Sequence, residues 1–213
     1  MSNTQAVVIG NGESRKNLDL ESLKSNYTLI GCNAVHRDIT VDHLVCCDRR
    51  MVLEAVKNTN NSHCKIYTRL DWHHYFRKIL KNKNVDIVPK LPYHSDDRSD
   101  RPIHWGSGPY AVLLAATLNC STVHLVGFDL YSKNGKINNV YKGTQNYLPP
   151  DKQAVDHSYW VYQISKVFEN YANIEFKIYN SDDWLLPERW QRKNVEKLNI
   201  DLANQLNNNY NNT

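Results

Sequence analysis

The sequence has no stretch near the roughly 20 apolar residues that a bilayer-spanning helix needs. Its opening, MSNTQAVVIG, enters a strand-like run without a basic region or cleavage site, so a cytoplasmic protein that is not exported is expected. The five cysteines, Cys32, Cys46, Cys47, Cys64 and Cys120, are odd in number, lie in or beside apolar runs and include no CxxC pair. They read as reduced core thiols rather than zinc ligands or a disulfide framework. The formal charge of +4 suits anionic ligands, but no dense Lys/Arg block forms a duplex-tracking stripe. GxGxxG, GK[ST] and DxD are all missing, which removes the usual signatures of dinucleotide binding, of a P-loop and of a metal bridge to a nucleotide diphosphate. No internal repeat is visible.

What is present is ordinary for a globular domain: 213 residues, 41% hydrophobic and 23% charged, enough for one well-buried core. A single α/β domain is expected over residues 1–206. The Asn-rich ending QLNNNYNNT reads as a frayed polar tail over 207–213. Apolar runs of strand length alternate with helical patterns. QAVVIG, YTLIG, DHLVCC, CKIYT and VDIVP read as strands, as do STVHLVGFDLY and IEFKIY. RRMVLEAVK is expected to be a helix with Met51, Val52, Ala55 and Val56 inward, WHHYFRKIL a second, GSGPYAVLLAATLN a nearly wholly apolar third, and HSYWVYQISKVFENY a fourth. A last helix is expected from about Arg192 to Leu206. The pattern predicts a Rossmann-like, mainly parallel sheet with helices on both faces and a lid-like insertion, Ser132 to Ala154; Leu91 to Arg101 is expected to be a second mobile connection.

Ligands of such sheets sit at the carboxyl ends of the strands. Gly10, Asn11, Gly12 and Ser14 form a glycine-rich turn after the first strand, where backbone amides can approach a phosphate. Asn33, Asp48, Asp129 and Tyr131 close three other strands and would face the same crevice, although each residue type also serves as a cap or turn former.

The combination of GNGES, a CN about twenty residues later, GSGPYAVLLAATL followed by VHLVGFDLY, and a late HS resembles the bacterial sialyltransferases of glycosyltransferase family 42. A shorter resemblance, in the first turn and the GFD strand end, is to hydroxymethylpterin pyrophosphokinase-like proteins. The first resemblance implies a metal-independent, inverting glycosyltransferase using a CMP- or UDP-sugar with no other cofactor. It sets Asn11, Gly12, Ser14 and Asn33 against the nucleotide, Ser107 and Gly108 under the base or ribose, Tyr131 and Tyr141 on the phosphate, and His157 as general base. Glu13 stands where that family has proline, Asp48 where it has asparagine, and His104 roughly where it has an arginine. The acceptor would be a hydroxyl of a glycan or, since the Asn-rich composition suits an AT-rich viral gene, of a hydroxylated base in phage DNA within a host cytoplasm. A homo-oligomer remains open. Two alternatives stand beside this. One is a pyrophosphokinase with Asp48 and Asp129 holding Mg²⁺ against ATP. The other is a catalytically silent nucleotide-binding protein.

Overall fold

The computed structural model describes residues 4–58, 63–81, 84–132 and 134–206. The short apolar runs are strands: β1 (Gln5–Ile9), β2 (Thr28–Cys32), β3 (His43–Val45), β4 (Lys65–Thr68), β5 (Val85–Ile87), β6 (Thr122–Val126), β7 (Glu175–Asn180) and β8 (Val195–Asn199). They form one sheet in the order β5-β4-β3-β2-β1-β6-β7-β8, and every pairing is parallel. The chain winds outward from β1 to β5, then returns to lay β6 along the other side of β1, with Ile9 opposite Val126. The order therefore reverses between β1 and β6, where a crevice opens at the carboxyl ends.

The helices are α1 (Arg49–Asn58), α2 (Leu70–Tyr75), α3 (Arg77–Leu80), α4 (Ser107–Thr117) and α5 (Ser158–Asn170). Successive strand residues point to opposite faces, so β1, buried at Ala6 through Ile9, feeds two cores. Ala6 and Val8 join α4, α5, Trp105 and Trp190 on one face, while Val7 and Ile9 join α1 and Tyr141 on the other. Met51, Val52, Ala55 and Val56 are the buried stripe of α1, as their spacing predicts.

The expected helix from Arg192 to Leu206 is instead β8 followed by a 3-10 turn, Ile200–Gln205. In VEKLNI, Val195 packs on one core and Leu198 and Ile200 on the other, and β7 offers a free edge with which β8 pairs. Asn194, just before it, donates from Nδ2 to the carbonyls of Phe168, Tyr171 and Ile174 and holds the strand's entry below α5. The expected helix WHHYFRKIL is broken at Phe76 (φ −93°, ψ 10°) into α2 and α3. The tail from 207 onward lies outside the described residues.

Both polar connections are tethered to the domain. In Leu91–Arg101, the buried Asp100 carboxylate accepts from the hydroxyls of Tyr93 (2.7 Å) and of Tyr162 on α5 (3.0 Å). In the insertion, Arg37 donates to Glu54 on α1 and to Thr144 Oγ1 and the Gln145 carbonyl, and its guanidinium lies 5.6 Å from the ring centres of Tyr141 and Tyr147. Asn146 adds a bond to Glu54 (2.6 Å). The insertion thus forms a docked wall across the carboxyl edge of the sheet.

Candidate functional site at the strand switch

At the switch point the backbones of the β1 and β6 turns touch. Gly10 N donates to the Val126 carbonyl and Gly12 N to the Gly127 carbonyl, each at 2.8 Å. A Cβ at position 10 would lie 2.3 Å from the Gly127 oxygen, and one at position 12 would lie 2.4 Å from the Asp129 carboxylate. These glycines are required by close approach, with Gly127 itself left-handed at φ +71°. Asp129, 5% exposed, accepts from Ser14 N (2.9 Å) through one oxygen and from Ser14 Oγ through the other. Burial lifts its carboxyl above the ordinary range, against the opposing pull of the Ser14 hydrogen bonds. Asp129 and Ser14 therefore brace the turn; a magnesium site would have to take oxygens that the turn already uses.

A cleft of about 570 Å³ opens over this turn. It brings together Gly10, Asn11, Gly12, Asn33, Asp48, Ser107, Gly108 and Asp129, every predicted nucleotide-binding position except Ser14. Asn33 takes a left-handed backbone (φ +49°) at the end of β2. Ser107 Oγ donates to Asn33 Oδ1 (2.7 Å) and accepts from Cys47 N (2.9 Å), tying the start of α4 to the ends of β2 and β3. Ser107 is thus committed to orienting Asn33. Two buried polar atoms of the lining have no protein partner: Asn11 Oδ1 and Trp105 Nε1. One is an acceptor and the other a donor, and such groups are costly unless something else satisfies them.

The predicted catalytic residues divide. Tyr131 and His157 meet, their ring centres 5.6 Å apart; they stand one and two residues along the chain from the cleft-lining Leu130 and Val155, but neither lines the cleft itself. Tyr131 stacks on Trp184 and its hydroxyl oxygen accepts from Leu185 N (3.1 Å). His157 stands at the N-cap position of α5 without a capping bond, and the preceding Asp156 accepts from both Ser158 N and Ser158 Oγ. Tyr141 lies elsewhere. It is 5% exposed in the core on the α1 face, where its hydroxyl donates to Asp38 (2.5 Å) and accepts from Arg15 (2.8 Å). The tyrosine of the insertion that lines the cleft is Tyr147, whose hydroxyl oxygen accepts from Asn11 Nδ2 (3.1 Å). Burial raises its pKa, so it keeps its proton at neutral pH.

Sequence reasoning missed Tyr147 and Arg69. Arg69, just beyond β4, lines the cleft and donates from Nη1 to the Ile103 carbonyl (2.6 Å) while pairing with Asp71. The five cysteines are buried, and burial pushes the thiols of Cys32 and Cys47, which line the cleft, up to about 12. Neither is a nucleophile at neutral pH. Among the described residues no group of three His, Cys, Asp or Glu side chains is placed to hold a metal ion, and no helix is long and apolar enough to cross a membrane.

No family model and no curated protein matches the sequence. Two solved structures do match the fold. A point variant of the alpha-2,3/8-sialyltransferase CstII superposes with a TM-score of 0.51 at 14% identity, over 82% of this chain and 81% of that one. The sialyltransferase CstII from Campylobacter jejuni, in complex with the substrate analogue cytidine-5'-monophosphate, does so with a TM-score of 0.51 at 15% identity, over 82% and 79%. The parallel domain, with its cleft at the β1–β6 switch, is thus built on the fold of these sialyltransferases.

Proposed function

We propose that the chain is an inverting glycosyltransferase that takes a sugar from a nucleotide donor, a CMP-sugar before a UDP-sugar, and passes it to a hydroxyl acceptor. The observation that carries this is the pair of uncommitted polar atoms, Asn11 Oδ1 and Trp105 Nε1, in a cleft at the strand switch. That cleft has the fold context of a sialyltransferase whose structure was solved with cytidine-5'-monophosphate. The acceptor oxygen bonds the anomeric carbon as the sugar–phosphate bond breaks, and the hydroxyl proton passes to His157. Tyr131 and Tyr147 would steady the leaving phosphate. Each hydroxyl oxygen already accepts a hydrogen bond, from Leu185 N and from Asn11 Nδ2, which leaves its proton to give. Tyr147 takes the role that the sequence resemblance assigned to Tyr141.

With cytidine monophosphate and a CMP-sugar as probes, His157→Ala should bind nucleotide normally and turn over about 10²–10⁴-fold more slowly. Tyr147→Phe should slow turnover by roughly 10²-fold, the loss of one donor to developing charge, while Tyr141→Phe leaves the rate alone. If Tyr141→Phe rather than Tyr147→Phe slows the reaction, the assignment of the second tyrosine is wrong. Binding of ATP only in the presence of Mg²⁺ would instead favour the pyrophosphokinase, and binding without turnover of any acceptor would favour the silent binder.

A further inference from the structure

Beyond the donor cleft lies a second cavity of about 540 Å³, walled by Asp48, Arg49, Arg50, Trp72, Asn146 and Tyr147. Asp48, Asn146 and Tyr147 line both, so the two open into one another at the carboxyl end of β3. That end is two strand spacings from β1, about 10 Å from the glycine turn, the distance a sugar or nucleoside bridges.

The charges here are out of place for a helix start. α1 opens with Arg49 and Arg50 and has no acidic residue in its first turn, although the positive pole of a helix favours anions. Both arginines are exposed. The guanidinium of Arg49 rests 5.4 Å from the Tyr75 ring centre and 5.9 Å from that of Phe76, and no ion pair or hydrogen bond joins the side chain of either arginine to a described residue. Elsewhere in the chain the arginines near the cleft are paired: Arg15 with Asp38, Arg37 with Glu54, Arg69 with Asp71. Two guanidiniums on adjacent residues line one cavity at the unfavourable end of a helix, and even the neighbouring Asp48 carboxylate forms no ion pair with either among the described residues, so their N–H donors are left open to an anion from outside.

We infer that this second cavity is the acceptor subsite, and that the acceptor carries a phosphate group near its reacting hydroxyl. This rests on the glycosyltransferase assignment above. Two planar forks of N–H donors match the spread of oxygens on a phosphate better than a single carboxylate, which one guanidinium already satisfies. Asp48, exposed at the junction, disfavours an anion there, so the phosphate lies toward Arg49 and Arg50 and the uncharged hydroxyl toward the donor. The Trp72 indole, fixed by its Nε1 bond to the Cys47 carbonyl (2.8 Å), supplies a flat apolar wall.

The test is calorimetric titration of the full chain saturated with cytidine monophosphate, which occupies the donor cleft. The probes are inorganic phosphate, glucose 6-phosphate and a short oligothymidylate, against acetate, glucose and thymidine. At least one phosphate probe should bind about tenfold more tightly than its counterpart. Glucose 6-phosphate alone would point to a phosphorylated sugar and the oligothymidylate alone to a nucleic-acid chain. The double variant Arg49→Gln/Arg50→Gln should abolish the difference without changing cytidine monophosphate affinity, and Arg49→Lys/Arg50→Lys should restore part of it. Equal binding of charged and neutral probes, acetate binding as tightly as phosphate, or a preference that survives the glutamine variant would overturn the inference. If cytidine monophosphate itself fails to bind, the donor assignment falls, while the phosphate titrations repeated without it still report on the arginine pair.

Discussion

The two ends of the cleft are built on opposite plans. At the β1–β6 switch the backbone of the turn is held from within: Gly10 and Gly12 bond the β6 loop, and Asp129 and Ser14 satisfy one another, while Asn11 Oδ1 is left without a protein partner. At the β3–α1 end, Asp48, Arg49 and Arg50 stand exposed, and the two arginines carry no ionic partner among the described residues. The first region spends most of its polar groups on a fixed backbone shape and leaves Asn11 Oδ1 to face the cleft, and the second keeps its charged groups for something outside the chain. Residues that look like ligands because they end strands can therefore be the frame of a site rather than its contact surface.

The contrast predicts graded responses. Gly10→Ala places a methyl against the Gly127 backbone, which cannot move aside as a side chain could, so stability measured by urea unfolding should fall by about 1–3 kcal/mol, with nucleotide binding lost alongside. Asp129→Ala should cost about 1–3 kcal/mol by stranding Ser14 N and Oγ, and it should weaken nucleotide binding through the shape of the turn. At the open end, Arg50→Gln should change stability by less than about 0.5 kcal/mol, as for an exposed residue without an ionic partner among the described residues. If Arg50→Gln destabilises as much as Asp129→Ala does, the division between frame and contact surface fails.

A pH titration separates the buried frame from the exposed rim in another way. His124 on β6 is 3% exposed, hydrogen-bonded between Tyr179 and Gln5, and burial lowers its pKa from 6.5 to about 4. The unfolded chain takes up this proton below about 6.5 and the folded chain only near 4. Stability is therefore fully present above 6.5 and is lost as pH falls through that window. His124→Gln should flatten the unfolding midpoint between pH 6.5 and 4 relative to the native chain.

Much of the sheet was legible because a fully buried parallel strand is a short apolar run between turn residues, and β1 and β6 are such runs. β8 was not, since its few apolar residues are split between the two faces, Val195 on one core and Leu198 and Ile200 on the other, while Val195, Leu198 and Leu202 fall at helical spacing. The strand-end residues of the cleft could be read from the rule that such ends converge. Which tyrosine of the insertion reaches the cleft could not. It depends on Arg15 and Asp38 drawing Tyr141 into the core on the α1 face and leaving Tyr147 over Asn11, contacts between residues more than a hundred positions apart. Arg49 and Arg50 were equally silent in the sequence, where they marked only the start of a helix.

The wall shared by Asn146 and Tyr147 constrains the order of events. It is one stretch of backbone, anchored through Glu54, that fronts both cavities. The inverting transfer proposed above is a single displacement, in which the acceptor oxygen bonds the anomeric carbon as the sugar–phosphate bond breaks, so both substrates must be bound together for transfer to occur. Double-reciprocal plots at several acceptor concentrations should intersect rather than run parallel, the kinetic signature of a ternary complex.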